Sequence, residues 1–297
     1  MGKVMAVLLA VLVVAGCATA PEGPPPMAAA QDVAWSLRQP GSMTIAVSPA
    51  RRTMQIAGVS AAVVGAGVDA IVNARYRGAI GDALGDYDPA AYLTGYLSER
   101  LESVMPGDLR EVAPLDYGDT SESRRDAERE RYADIAKDGA DLLLDVKADY
   151  GLFGASGALV VELDGEVREV PRGRKVWDGL VVVFTDPMTA DMKPSDPTKR
   201  LGPDFSSPRF TAEDDAVAQW TEDGGVRLKT TFEEAVQGAI SALLCDLGLA
   251  QEAVGEYYLG KVSYNTKDFE AAEHHFRKAI ALEPGFMDAI NGLAVTL

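Results

Sequence analysis

The sequence predicts an α/β protein: a mixed-sheet α/β sandwich followed by a short all-α helical segment. Strand-like and helix-like apolar patterns alternate from about residue 43 to residue 150. A run of alternating apolar residues then reads as a meander, and from Thr231 onward apolar residues recur at helical spacing. The composition, 47% hydrophobic and 25% charged, is that of a globular chain. Its formal charge of −17 excludes a nucleic-acid-binding surface, which needs cations to displace the counterions of phosphate.

Residues 1–16 hold one cation, Lys3, and an unbroken apolar run from Val4 to Val14, too short for a permanent membrane span but right for a signal-peptide core. The run ends in Val14-Ala15-Gly16-Cys17, small residues directly before a cysteine. This string resembles a bacterial lipoprotein signal. The resemblance implies cleavage before Cys17, lipidation of its thiol and acylation of its new amino group. With Ala18 and no aspartate next, it also implies an outer-membrane destination, facing the periplasm. If Cys17 carries lipid, Cys245 has no disulfide partner. Residues 17–39, with Pro21, Pro24, Pro25 and Pro26 among alanines, read as an extended tether.

Residues 40–229 form the expected α/β domain. Met43 to Val47 has the composition of a buried strand. The small-residue stretch from Ile56 to Ala74 contains Gly65-Ala66-Gly67-Val68-Asp69-Ala70, which has the outward form of a dinucleotide-binding loop; no strand-like sequence precedes it, so it reads as close helix packing and no cofactor is expected. Asp88-Pro89 supplies a helix start, Leu93, Leu97, Leu101 and Val104 form one stripe, and Pro106-Gly107 stops it. A short strand at Glu111 to Ala113, a charged helix from Ser123 to Lys137 closed by Gly139, and a strand from Asp141 to Tyr150 follow.

Leu159, Val161 and Leu163 then alternate up to Asp164-Gly165, a strong hairpin-turn signal, with Val167 to Val170 as the return strand and Leu180 to Phe184 as a further strand. The five-proline stretch from Asp186 to Phe210 reads as a long loop. The element order of residues 40 to 185, with the string Ala136-Lys137-Asp138-Gly139-Ala140-Asp141-Leu142-Leu143-Leu144, resembles curli-secretion-type lipoproteins and the N-terminal domain of the TolB protein. That resemblance implies an envelope role and carries no catalytic residue across.

Residues 230–297 read as helical. Thr231 and Glu234 are spaced as a capping box, and Phe232, Ala235, Val236, Ala239, Ile240, Leu243, Leu244 and Leu247 share one side up to Gly248. Gly238, Ser241 and Cys245 make a second, small-residue face, expected to pack against Val254 to Val262 and bury the thiol. The segment 253–286 resembles a tetratricopeptide repeat: Leu259-Gly260 matches its first-helix contact, Ala272 begins the second helix, and Phe276, Ala279 and Pro284 follow at the family's spacing. Glu256 stands where a tryptophan is usual and Ser263 where a tyrosine is usual. A terminal helix from Met287 would cover the repeat. Such a repeat either binds a peptide or protein on its concave side or packs as an appendage on the first domain.

No nucleophile elbow, zinc motif or phosphate loop is present, and His274 and His275, about 100° apart on a helix, cannot share a metal. The expectation is therefore a non-enzymatic protein without cofactor or metal. The string Arg172-Gly173-Arg174-Lys175 beside Trp177 reads either as a solvated strand connection or as contact for an acidic partner, with Trp177 as its anchor. The functional expectation is a lipid-anchored accessory or assembly factor that binds an envelope protein or peptide. A curli-type secretion-channel subunit and an envelope hydrolase are the alternatives.

Overall fold

The computed structural model describes residues 27, 30, 32–46, 73–115, 121–153, 157–185 and 213–297. The signal segment, Cys17, the stretch 47–72 and the five-proline stretch lie outside the described residues.

The order is β1 (Asp32–Arg38), β2 (Thr44–Ala46), α1 (Pro89–Val104), β3 (Asp108–Glu111), α2 (Ser121–Lys137), β4 (Leu142–Phe153), β5 (Ala158–Glu169), β6 (Arg174–Phe184), α3 (Glu213–Thr221), α4 (Val226–Asp246), α5 (Ala253–Asn265), α6 (Phe269–Leu282) and α7 (Met287–Thr296). Residues 73–84 are also helical. The strands form one mixed sheet in the order β3-β1-β4-β5-β6, with β2 also pairing β4. β1 runs parallel to both β3 and β4, whereas β4, β5 and β6 are antiparallel neighbours. The α/β class with a mixed sheet is as the sequence predicts.

Alternation along β1 sets the layers. Val33 and Trp35 face the main core with Leu93, Leu97 and Leu101 of α1 and most of α4, while Ala34 faces Tyr132 and Ile135 of α2 on the other side. Asp88 caps α1 by accepting from the amides of Ala90 and Ala91, at 2.9 and 3.1 Å. Tyr150 and Phe232 meet edge to face at the centre of the core, 5.2 Å apart.

Several expectations are corrected. The tether does not reach residue 39, because β1 is an interior strand whose Val33, Trp35 and Leu37 alternate toward the core. β3 lies slightly before the expected Glu111 to Ala113. Asp164-Gly165 is no turn: β5 passes straight through it, with Asp164 opposite Lys147 and Leu180, and Gly165 opposite Val146 and Gly179. A side chain at Gly165 would stand 3.1 Å from both Leu243 and Trp177, so the glycine there answers packing and not a turn. β6 begins at Arg174, six residues before the expected strand.

Helix α4 begins at Val226, so Thr231 is interior to it. Gly225 precedes it with φ of 74°, and Asp223 accepts from the Val226 amide at 3.0 Å. A side chain on Gly225 would meet the carbonyl oxygen of Ala83 at 2.7 Å, which fixes the start where it is. With Leu228, Phe232, Val236, Ile240 and Leu243 fully buried in the main core, α4 is a layer of the α/β sandwich, and residue 230 marks no boundary.

Candidate functional site

The C-terminal helices pack through glycines and aromatic rings. Along α4, Gly238, Ser241 and Cys245 face α5: Tyr258 lies over Gly238, and a side chain at Gly255 would stand 2.5 Å from the Cys245 sulfur. Cys245 donates to the Glu252 carbonyl at 3.8 Å, and burial pushes its thiol up to about 11. The α5–α6 hairpin buries Leu259, Gly260, Ala272, Phe276 and Ala279, while Pro284 is exposed beyond the end of α6. Phe276 is wedged between two backbones, since a side chain on either Gly260 of α5 or Gly292 of α7 would come within 2.7 Å of its ring.

Glu256, noted in the sequence only as a departure from the repeat pattern, is 1% exposed and holds the hairpin electrostatically. His275 Nδ1 lies 2.7 Å from one of its oxygens and Lys278 Nζ pairs with the other. A carboxylate only accepts, so Nδ1 of His275 carries the proton. Burial alone would raise the Glu256 pKa, but the bonds from His275 and Lys278 outweigh it and hold the carboxyl below its ordinary value. Nearby, burial raises Asp246 of α4 above the usual range despite the opposing influence of His275. His274 is exposed.

Between α1, α4 and α5 runs a groove of about 390 Å³. Tyr96 and Tyr258 provide aromatic faces, Val254 an exposed aliphatic wall, and Glu234, Glu252 and Glu283 the charge. Tyr92 stacks on Tyr96 with rings 6.1 Å apart and nearly parallel, and Gln237 donates to the Tyr92 hydroxyl at 3.0 Å. Glu252 is committed, pairing with Arg100 through one oxygen and accepting from Ser241 Oγ at 2.5 Å through the other.

A second cleft, of about 380 Å³, lies on the α2 side of the sheet. Arg131 grips Asp145 bidentately at 2.9 and 2.8 Å and donates to Ser36 Oγ at 2.9 Å and to the Ala113 carbonyl at 3.1 Å. Ser36 in turn donates to Asp145. This cluster fastens α2 to β1 and β4. The cleft's lysines are likewise committed, Lys147 to Asp149 and Lys175 to Asp178 at 3.1 Å.

The string beside Trp177 is thus no basic patch. Arg174 pairs with Glu169, Lys175 with Asp178, and the neighbouring Arg168 forks onto Glu166 at 2.7 and 2.9 Å. Arg172 is exposed at the turn before β6, whereas Trp177 is half-buried against the core, its ring lying over Gly165 and Gly179. Gly179 lies two residues from Trp177 in the sequence, whereas nothing local to Gly165 signals its role. For Glu256 the sequence signal was a carboxylate at a repeat's core position, with a lysine and a histidine on the next helix.

Among the described residues no group of histidine, cysteine and carboxylates is placed to hold a metal, and no helix is long and apolar enough to cross a membrane. No protein-family description and no curated protein matches the chain. Among solved structures, the PelC dodecamer from Paraburkholderia phytofirmans is similar over 77% of this chain and 96% of that one, at 12% identity and a TM-score of 0.33. The hypothetical protein CT253 from Chlamydia trachomatis is similar over 71% and 98%, at 8% identity and a TM-score of 0.27. The LpoB C-terminal domain from Salmonella enterica is similar over 52% and 83%, at 17% identity and a TM-score of 0.18. Likenesses this distant carry no argument about activity.

Proposed function

We propose that this protein is a non-enzymatic accessory factor of the bacterial envelope, lipid-anchored through Cys17 at the periplasmic side of the outer membrane, which binds a protein partner through its C-terminal tetratricopeptide-type helices. The observation that carries the reading is the groove between α1, α4 and α5, beside closely packed α4 and α5. Its floor helices contact each other through Gly238 under Tyr258 and Gly255 under Cys245, and its walls keep Val254 and Glu234 at the surface.

The strand pattern speaks against a channel subunit. β4 and β5 are each 12 residues long, enough to span a bilayer, but the apolar face of β5, with Leu159, Val161, Leu163 and Val167, is buried in the main core with α4 and the other face carries Glu162, Asp164, Glu166 and Arg168, so neither is apolar and open to lipid. Photocrosslinking in living cells tests the binding reading. With a benzophenone amino acid at Val254, a discrete heavier adduct is expected, and none from Glu130 on exposed α2. Identical adducts from both positions, or none from Val254, would refute it.

A further inference from the structure

We propose that the groove between α1, α4 and α5 takes an extended basic segment of its partner, lysine or arginine side chains alternating with small apolar ones. This rests on the protein-binding reading and gives the partner's chemistry. Of the groove's lining residues, three are carboxylates and none is lysine, arginine or histidine. Glu252 is neutralised by Arg100 and locked by Ser241, so it serves as a wall. Glu234 on α4 and Glu283 beyond α6 are exposed and make no ion pair with a described residue, so they stand at the rim as uncommitted charge of one sign.

Between the rim carboxylates lie ring faces and an aliphatic side chain. Tyr96 is stiffened by stacking on Tyr92, and Tyr258 is pressed onto Gly238, so both rings are held in place before any ligand arrives. Val254 is 40% exposed in a helix that buries its neighbour Gly255. The methylene stem of a lysine or arginine packs on such rings while its cation reaches a carboxylate, and cations are further drawn to tyrosine faces. The field in the groove has the same sign from several directions. The Tyr258 hydroxyl is held above its ordinary value first by burial, then by Asp288 of α7 and Glu234 of α4. Arg100 is spent on Glu252 and Lys261 lies over the Tyr258 ring at 5.4 Å, so an acidic segment would find no cation among the groove's lining residues, and a purely apolar one would strand Glu234 and Glu283 beneath it.

The test uses the full chain in nonionic detergent and two fluorescein-labelled ten-residue probes, lysine alternating with alanine and glutamate alternating with alanine, followed by fluorescence anisotropy. The lysine probe is expected to bind saturably and the glutamate probe not at all. Glu234→Gln with Glu283→Gln should weaken the lysine probe about five- to tenfold, and Tyr96→Ala should weaken it with no change in net charge. Glu111→Gln with Glu130→Gln, exposed positions remote from the groove with the same loss of charge, should leave affinity unchanged. Equal weakening by the two double variants would mean attraction to the acidic chain as a whole and would overturn the assignment, as would an unaffected Tyr96→Ala or displacement of the probe by spermidine at equal charge. Should the lysine probe fail while Val254 still crosslinks one partner, the binding reading stands and the basic-segment assignment falls.

Discussion

Replacing Gly260 by alanine should destabilise the C-terminal helices, although the same change usually stabilises a helix. Glycine to alanine in an open helix interior gains about 0.5–1 kcal/mol from the lower backbone entropy of the unfolded chain and better propensity. Gly95 of α1 is such a site, with nothing within 4 Å of where its side chain would stand. At Gly260 the new methyl would stand 2.7 and 2.8 Å from two ring carbons of Phe276, against about 3.5–4.0 Å for a comfortable carbon contact. A side chain on Gly292 of α7 would also stand 2.7 Å from the ring, so α7 backs the same ring and leaves it little room to withdraw. Overpacking of this kind costs about 1–3 kcal/mol. Set against the propensity gain, Gly260→Ala should lose about 0–2.5 kcal/mol, and the two alanine variants should differ by about 1–3 kcal/mol. Urea unfolding followed by far-ultraviolet circular dichroism, on a soluble form beginning at Met27, reads the difference as a midpoint shift at constant slope. Hydrogen exchange in α5–α7 assigns it to those helices. Adding Phe276→Leu should return part of the loss, a coupling of about 0.5–3 kcal/mol. If Gly260→Ala stabilises as much as Gly95→Ala, Phe276 is not wedged and the packing argument fails.

Three further outcomes are expected. Cys17→Ser should abolish metabolic palmitate incorporation and misplace the protein; incorporation at the original level would rule out the anchor. Cys245, with its thiol pushed up to about 11, should react slowly with a maleimide in the native protein at pH 7 and rapidly in urea, and fast native labelling would contradict its burial against Gly255. Glu256→Gln should cost about 1–3 kcal/mol at pH 7. Because the folded-state pKa of Glu256 is lowered, its stabilisation is complete above the unfolded value of about 4.3 and is lost as pH falls below that. The gap between wild type and Glu256→Gln should therefore close as pH falls below about 4.3; a gap that widens there would reverse the sign of the argument.

The elements legible in the sequence were those whose pattern has one physical cause. Leu93, Leu97 and Leu101 repeat at helical spacing because α1 buries one stripe, and Gly139 and Gly248, with φ of 100° and 67°, close helices as glycine after a periodic run suggests. The small face of α4 was readable too, since Gly238, Ser241 and Cys245 have no bulk to offer anything but a close neighbour. Misreadings arose where one residue type answers two demands. Asp164-Gly165 has the chemistry of a turn, but here glycine makes room for Trp177 and Leu243 from elsewhere in the chain, which local sequence does not display. β1 was hidden by the prolines before it, its three inward residues too few to stand out against the tether. At Glu256 the carboxylate looked like a defect in the repeat, because its partners lie on the next helix and only the hairpin brings them together.

The position of β1 has a mechanical consequence. Where the strand nearest the N terminus lies at the margin of a sheet, it peels away bond by bond. Here it is hydrogen-bonded on both sides, to β3 and to β4, and Ser36 meets Asp145 across 109 residues of sequence. Any pull on the chain upstream of Asp32 enters through a strand inside the sheet, next to the edge strand β3, and must slide two ladders at once. The arrangement also orders assembly in time, for the first strand to emerge waits unpaired until β3 and β4 have followed it, and long-range pairing of this kind is slow. A protein tugged from its N terminus is thus gripped by two ladders and not by one, and the strand that bears the load is the one whose placement joins β3 to the rest of the sheet.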